Sequence, residues 1–308
     1  MPFLIGNYGS IRIIKLLQQS VRKMINIGLT GWGDHESLYG SKMQSYKKLQ
    51  AYSEHFPIVE VDAAFYAIQP RKNSEKWIQE TPEKFQFIVK AYQGMTGHTR
   101  GEIPFESRDE MFAAFRESLK PYQEHGKLAM ALFQFPPWFD CKRANVDYIR
   151  WCREQCPDLP LALEFRNRTW FSETYREKTL QFMEEGDWIH SICDEPQAGE
   201  GSVPTVLQAT NKQKTLIRMH GRNVYGWNKP SSGEEWRAVR FLYRYNKEEL
   251  MEWAGHIRQL QKQTKEIYMV FNNNSGGDAA DNAKEMIGYL GLEYDSLAPK
   301  QLDLFGDL

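Results

Sequence analysis

Cysteine is scarce and poorly spaced for chemistry. The four residues Cys141, Cys152, Cys156 and Cys193 include no C-x-x-C pair. Neither a metal knuckle nor a disulfide framework is indicated, and free thiols in a reducing cytoplasm are expected. Long apolar runs are missing too. None approaches the ~20 residues that a membrane span needs, so no membrane partner is expected. There is no excess of either charge: Lys and Arg number 39 against 40 Asp and Glu, a net charge of −1. That balance argues against a nucleic-acid coat held by bulk charge, though not against a local basic patch. The basic stretches Arg71-Lys72 and Arg237 to Arg244 are the candidate phosphate contacts, and such stretches more often form solvated faces. No low-complexity linker divides the chain.

What is present is a large apolar complement. Hydrophobic residues make up 41% of 308 residues, enough for a substantial core. Aromatics reach 13%, which suits sugar or base stacking but more commonly core packing. The first 23 residues carry Arg12, Lys15, Arg22 and Lys23 and no acid. They read either as a basic amphipathic anchor or as a non-native or flexible extension ahead of Met24, and the second reading is preferred.

From Met24 onward, apolar strands alternate with amphipathic helices. The strands are Ile25 to Thr30, Ile58 to Asp62, Phe85 to Lys90, Leu128 to Phe133, Leu161 to Arg166, Trp188 to Cys193, Thr215 to His220 and Ile267 to Phe271. Helices are expected over Lys42 to His55, Ser74 to Glu80, Ser107 to His125, Asn145 to Glu154, Ser172 to Glu185 with Ser172 as N-cap, Val203 to Ala209, Lys247 to Gln263 and Asp278 to Leu290. Eight such pairs over this length predict an α/β fold, a single-domain TIM-like (β/α)8 barrel spanning 24–292. A doubly wound open sheet is the alternative, but no G-x-G-x-x-G follows the first strand.

Several strands end in charge. Side chains alternate along a strand, so Glu164 and Arg166 share a face, as do Glu60 and Asp62, and Arg218 and His220. In a barrel of this kind the site lies at the C-terminal ends of the strands. The catalytic candidates there are Glu60, Glu164, Asp194 and His220. Arg166 and Arg218 could fork onto a phosphate or carboxylate. Trp32, Asp62, Lys90, Gln134, Asn272 and Asn273 could orient a ligand, and Tyr66, Trp170 and Tyr225 could stack on it. His220 is the group most easily tuned near neutrality. The competing interpretation is a set of internal salt bridges, such as Glu164 with Arg218, that fix strand register. No cofactor is called for. Glu60, Glu164, Asp194 and His220 include ligand types of a divalent metal site, but Lys90, Arg166 and Arg218 at the same level would repel a cation, and no H-x-x-x-H or D-x-D pattern supports one.

At these residues the chain resembles the YecE-like family, domain of unknown function 72. The matching pieces are Gly28-Leu29-Thr30-Gly31-Trp32, Val59-Glu60-Val61 with Phe65-Tyr66, Trp77 with Thr81-Pro82, and Phe85-x-Phe87 with Lys90. Gln134-Phe135-Pro136, Glu164-x-Arg166 with Trp170, Asp194, Arg218-x-His220-Gly221, Tyr225 and Phe271-Asn272-Asn273 complete them. The resemblance covers Ile27 to about Leu290 and implies a TIM-like barrel without an established reaction. One departure stands out: the family usually has Glu-x-Asn-Ser-Thr-Phe-Tyr where this chain has Glu60-Val61-Asp62-Ala63-Ala64-Phe65-Tyr66.

The tail, 293–308, carries Gln301, Leu302, Asp303, Leu304 and Phe305 after Pro299. It looks like the peptide that docks on the bacterial sliding clamp, with Leu302, Leu304 and Phe305 entering an apolar pocket and Gln301 adding a directional hydrogen bond. The same residues could instead fold back on the barrel. Three functional expectations result. The first is a barrel that binds or processes a small polar, anionic ligand, phosphorylated or sugar-like, as a hydrolase, lyase or isomerase. The second is a DNA-maintenance factor, such as a nuclease, recruited to the clamp. The third is a non-catalytic binding barrel.

Overall fold

The computed structural model describes residues 24–39, 43–99, 101–227, 236 and 238–299. The N-terminal stretch before Met24, Arg237 and the Gln301–Phe305 peptide lie outside them.

Eight parallel strands close into one barrel in sequence order. They are β1 (Met24–Thr30), β2 (Ile58–Val61), β3 (Gln86–Lys90), β4 (Leu128–Gln134), β5 (Leu161–Glu164), β6 (Trp188–Asp194), β7 (Lys214–Met219) and β8 (Glu266–Phe271). Closure comes from β8 lying beside β1, with Met24 opposite Glu266 and Leu29 opposite Phe271. The surrounding helices are α1 (Lys48–Tyr52), α2 (Ala63–Tyr66), α3 (Arg71–Gln79), α4 (Arg108–Glu124), α5 (Arg143–Gln155), α6 (Arg176–Glu185), α7 (Val224–Trp227), α8 (Lys247–Leu260) and α9 (Ala279–Leu290). The TIM-like barrel expected from the alternation is the fold observed.

The helices form where the sequence caps them. The Ser107 side chain accepts from the Glu110 amide at the start of α4, and Asn246 and Glu249 make a reciprocal capping box on α8. These contacts satisfy amide donors that the helix itself leaves free. Gly291, in the left-handed region at φ 60°, ends α9. The faces read from spacing are buried: Met111, Phe112, Phe115, Leu119 and Tyr122 on α4, and Leu250, Trp253, Ile257 and Leu260 on α8.

Three expected helices differ. The first is short, a single 3-10 turn (Ser45–Lys47) running into α1. Ser172 does not cap α6; it closes a 3-10 turn, Arg168–Phe171, and α6 starts at Arg176. No helix forms over Val203 to Ala209. There Pro204 has no N–H to give, the Val203 amide is claimed by Glu195, the Ala209 amide by Gln263, and the Thr205 hydroxyl by the Cys193 carbonyl. Donors and side chains committed to the barrel wall cannot also build a helical ladder.

Two apolar clusters sit on either side of the sheet. The larger lies between strands and helices. The smaller comes from strands alone and fills the lumen. In seven strands a polar residue follows two places after a lumen residue. The pairs are Ile58 and Glu60, Ile88 and Lys90, Leu132 and Gln134, Ala162 and Glu164, Ile189 and Ser191, Leu216 and Arg218, and Val270 and Asn272. The lumen is therefore apolar in its middle and polar at the C-terminal ends. β1 contributes Gly28 at this level, where a Cβ would stand 2.2 Å from the Ile58 carbonyl oxygen of the paired strand.

That close approach yields a test of the barrel's fit. Gly28→Ala should destabilise the protein by about 1–3 kcal/mol through overpacking of β1 against β2. Denaturant unfolding measures it; an unchanged midpoint would mean that the two strands can separate freely.

Candidate functional site

Arg218 is the centre of the polar layer. It is 1% exposed, on β7, and reaches across the lumen. Its Nε and Nη2 donate to the two oxygens of Glu60 on β2 at 2.9 and 2.7 Å. Its Nη1 donates to Glu164 on β5 at 2.9 and 3.0 Å, and lies 3.2 Å from Gln134 Oε1 on β4. Arg166 extends the network. It donates from Nε to Glu164 at 2.7 Å, from Nη1 to Glu195 at 2.7 Å and from Nη2 to His220 Nε2 at 2.8 Å. Ser191 Oγ donates to the remaining oxygen of Glu164 at 2.9 Å.

Charge follows from these contacts. Burial pushes the Glu164 carboxyl up, but the guanidiniums of Arg218 and Arg166 outweigh it and hold the group well below the usual carboxylate range. Burial wins at Glu60, which is raised despite Arg218. Glu195 is pushed up to about 7, because burial outweighs the Arg166 guanidinium, the Val203 amide and the charge of Arg240. His220 goes the other way: burial, then the charges of Arg166 and Arg218, hold it well below its ordinary value. An arginine can only donate, so Nε2 of His220 is the acceptor and Nδ1 carries the proton. The Asn272 amide nitrogen Nδ2 lies 2.9 Å from Nδ1, and turning that amide over brings its oxygen to accept the proton. His220, expected to titrate near neutrality, is instead locked as a neutral ring.

The structure gathers Glu60, Asp62, Lys90, Gln134, Glu164, Arg166, Arg218, His220 and Asn272 in and around one layer. Asp62 accepts from Lys90 at 2.9 Å, and Lys90 stands 4.5 Å above the Phe65 ring. Other candidates lie elsewhere. Asp194 faces the helix layer, accepting from Trp253 Nε1 on α8 at 2.7 Å and pairing with Arg222. Asn273 also points outward, donating to Asn282 on α9 and to the Tyr243 carbonyl. Trp170 is in the core, its ring 4.1 Å from Phe165 and its Nε1 on the Phe139 carbonyl. Trp32 packs edge-on to Trp77 at 5.1 Å. Tyr66 is exposed beside Phe65, and Tyr225 is 99% exposed. Of the basic stretches, Arg71 pairs with Glu75 and Glu124, and Arg244 with Asp278 and Glu285.

Sequence reasoning missed Ser191, Cys193 and Glu195. The signal was available: they alternate along β6, and ending that strand one residue later, at Asp194, puts Glu195 on the lumen side. Two residues at the mouth were also missed, His98 after β3 and Trp227 in the long segment between β7 and α8. Arg240, in that same segment, falls within the basic stretch Arg237 to Arg244 expected as a candidate phosphate contact. The Arg240 guanidinium lies within 4.8 Å of the Trp227 ring, 4.5 Å of Trp236 and 5.2 Å of Phe241. Arg166 lies 5.4 Å from the same Trp227 ring.

Among the described residues, Glu164, Cys193 and His220 are the group that could hold a metal ion, with donor atoms within 4.8 Å of one another. The acceptor atoms of Glu164 and His220 Nε2 are already used, and the Cys193 thiol is held protonated. Arg166 and Arg218 donate to Glu164, Arg166 donates to His220, and burial then Glu164 raise the Cys193 thiol well above its usual value. A cation would have to displace two guanidiniums. No helix among the described residues is long and apolar enough to cross a membrane.

Comparisons with known proteins agree with this geometry. Residues 26–303 match the family model described as "Protein of unknown function DUF72". The UPF0759 protein YunF of Bacillus subtilis (strain 168) is 67% identical over 282 residues, covering 92% of this chain and all of that protein. A crystal structure of a DUF72 family protein from Enterococcus faecalis V583 superposes with a TM-score of 0.84 at 40% identity, over 91% of this chain and 100% of that one. Another from Thermotoga maritima MSB8 gives a TM-score of 0.74 at 28% identity, over 87% and 100%.

Removing the central cation exposes how the layer is held. Arg218→Met should cost about 3–5 kcal/mol at neutral pH, because Glu60 and Glu164 lose their shared counter-ion. Urea unfolding measures this, and a loss of about 1 kcal/mol or less, the range of an exposed pair, would mean that the carboxylates do not depend on it.

Proposed function

The chain belongs to the DUF72 family, and on that premise we propose that it binds a small phosphorylated ligand at the C-terminal mouth of the barrel. The carrying observation is Arg240. Its guanidinium is surrounded by aromatic rings, its Nε is buried without a hydrogen-bond partner, and no carboxylate pairs with it among the described residues. Burial and then the neighbouring Arg166 charge push it down to about 10. A cation left in that condition is stabilised by an incoming anion.

His98 supports the same reading. Burial, then Lys90 and Arg166, with a smaller contribution from Arg240, push its ring down to about 4. The charges of Lys90, Arg166 and Arg240 all act on this imidazole, with Glu164 opposing them. The deeper charges, Glu60, Glu164, Arg218 and most of Arg166, already satisfy each other and serve as the floor of the site. Glu195, at about 7, is the group best matched to exchange a proton there at neutral pH.

A second reading concerns the tail. We propose that Gln301 to Phe305 docks on the bacterial sliding clamp, on the strength of its Gln-Leu-x-Leu-Phe pattern set off by Pro299. Binding of the purified full chain to the clamp should vanish when residues 299–308 are removed. Binding that survives the truncation, or no binding at all, overturns this reading.

The anion site has its own measurement. Titration with inorganic phosphate should show saturable binding that Arg240→Ala weakens about tenfold, the effect of losing roughly 1.4 kcal/mol. Phosphate should also move the His98 titration, followed by NMR, upward from about 4, since the anion cancels the cations that depress it. An unmoved His98 together with equal affinity in the variant would sink the proposal.

A further inference from the structure

Buried side-chain polar atoms without a hydrogen-bond partner gather at one end of the barrel. Among the described residues, all but those of Tyr122 and Thr264 belong to residues at or beyond the C-terminal end of a strand. Arg240 Nε, which meets the phosphate on the reading above, is one of them. Thr30 Oγ1 is another. Thr30 ends β1 opposite Glu60, so its side chain turns to the lumen side, at the edge of the charged network. Thr99 Oγ1, next to His98 in the loop after β3, and Asn274 Oδ1, two places beyond Asn272, are in the same condition.

Asp62, just after β2, adds a further oxygen to this side. Its side chain is 35% exposed, and Oδ1 accepts from Lys90 at 2.9 Å. Its other oxygen, Oδ2, accepts no hydrogen bond among the described residues. Burial pushes the carboxyl up, but Lys90 and then Arg218 outweigh it and hold the group below its ordinary value. Asp62 is therefore ionised at neutral pH.

The mouth thus has two unlike halves. After β5 and β7, Arg166 and Arg240 offer guanidinium donors that suit an anion. Around β1 and β2 the groups are oxygens, and the carboxylate among them repels a phosphate. The halves meet at His98, whose charge state Arg166 and Arg240 both influence and whose ring lies 4.9 Å from Phe65, beneath Lys90. An ionised carboxylate can only accept, and a threonine hydroxyl both donates and accepts, so the complementary group is another hydroxyl. A phosphate at neutral pH keeps little of its last proton. The hydroxyls must come from the rest of the ligand.

We infer that the ligand of this site is a sugar phosphate, with its phosphate at Arg166 and Arg240 and its hydroxyls on Asp62 and Thr30. This rests on the phosphate reading above and narrows it to one chemical class.

Four probes separate this inference from the one beneath it: inorganic phosphate, ethyl phosphate, ribose 5-phosphate and glucose 6-phosphate, each titrated into the full chain. At least one of the two sugar phosphates should bind about tenfold or more tighter than ethyl phosphate, the net effect of one hydrogen bond to a carboxylate. That ratio is the readout, because removing Asp62 also uncovers the Lys90 charge and draws every phosphate more strongly. Asp62→Ala should bring the ratio close to one, and Asp62→Asn, which keeps an acceptor oxygen in the same place, should retain part of it. Thr30→Val should lower the ratio about fivefold without lowering the thermal midpoint, since the hydroxyl it removes has no partner in the protein. A ratio near one in the unaltered protein, or a ratio that survives either Asp62→Ala or Thr30→Val, overturns the sugar inference and leaves the phosphate site standing. Failure of all four probes to bind overturns both.

Discussion

One arginine holds the upper barrel together. Arg218 spans the lumen from β7 to Glu60 on β2 and Glu164 on β5, with Gln134 of β4 beside it. Strands that do not neighbour one another are thereby tied through a single guanidinium. Taking three such charges out of water is expensive, and mutual attraction repays the cost only with close geometry and every lone pair used. Glu164 comes nearest to that condition, accepting four hydrogen bonds, while Glu60 accepts two. Because Glu164 is kept ionised, it can orient Arg166; because Arg166 is oriented, it fixes the tautomer of His220 and meets Glu195. Each later feature of the site inherits its position from the first ion pair.

Depth then sorts the residues by what they can do. The middle of the lumen is apolar. Above it lies a layer whose donors and acceptors are mutually satisfied, which makes it a rigid floor and a poor ligand site. Higher still, satisfaction gives way: Arg240 pairs with no carboxylate among the described residues and its Nε is buried without a hydrogen-bond partner, and Tyr66 is exposed. On the proposed reading, Arg218 contributes through position and the groups at the rim through contact. Of the two expectations for the paired charges, the salt bridge of Glu164 with Arg218 is present; the anion clamp belongs to the proposed reading, in which it would begin at Arg166, shared between floor and mouth.

Much of this was legible in the amino-acid order. Period-two strands ending in charge mark Glu60, Glu164, Arg166, Arg218 and His220 as one face each, and the β/α alternation reveals the barrel. The failures have specific causes. A strand reverses face at every residue, so ending β6 at Cys193 rather than Asp194 exchanges Glu195 for Asp194 in the site. Asn272 and Asn273 are adjacent, and only one of an adjacent pair can face inward. Trp170 has the same composition signal whether it stacks on a ligand or on Phe165; burial decides, and burial is tertiary. Arg240 stands out only as part of the basic stretch Arg237 to Arg244, and His98 does not stand out, because both sit in long connections without periodicity, where spacing carries no directional information. The missing helix at Val203 to Ala209 reflects backbone groups already committed to Glu195, Cys193 and Gln263, which no local propensity could reveal.

The two groups left free to titrate are displaced in opposite directions, and this bears on how an anion would be received. Glu195 is an acid pushed up to about 7 and His98 a base pushed down to about 4. At neutral pH the histidine carries no charge, Asp62 offsets Lys90 and two carboxylates face Arg166, so the resting mouth owes its positive character to Arg240. On the proposed reading, a phosphate arriving there repels a carboxylate and attracts protons, raising both groups further. Glu195 is the nearer to its midpoint, so it takes up the proton first. Neutralising Glu195 frees Arg166 from one of its two carboxylate partners when a new anion is available to replace it. Proton uptake and phosphate capture become one exchange of partners at a single guanidinium, and the remaining contact with Glu164 keeps Arg166 in place while the exchange occurs.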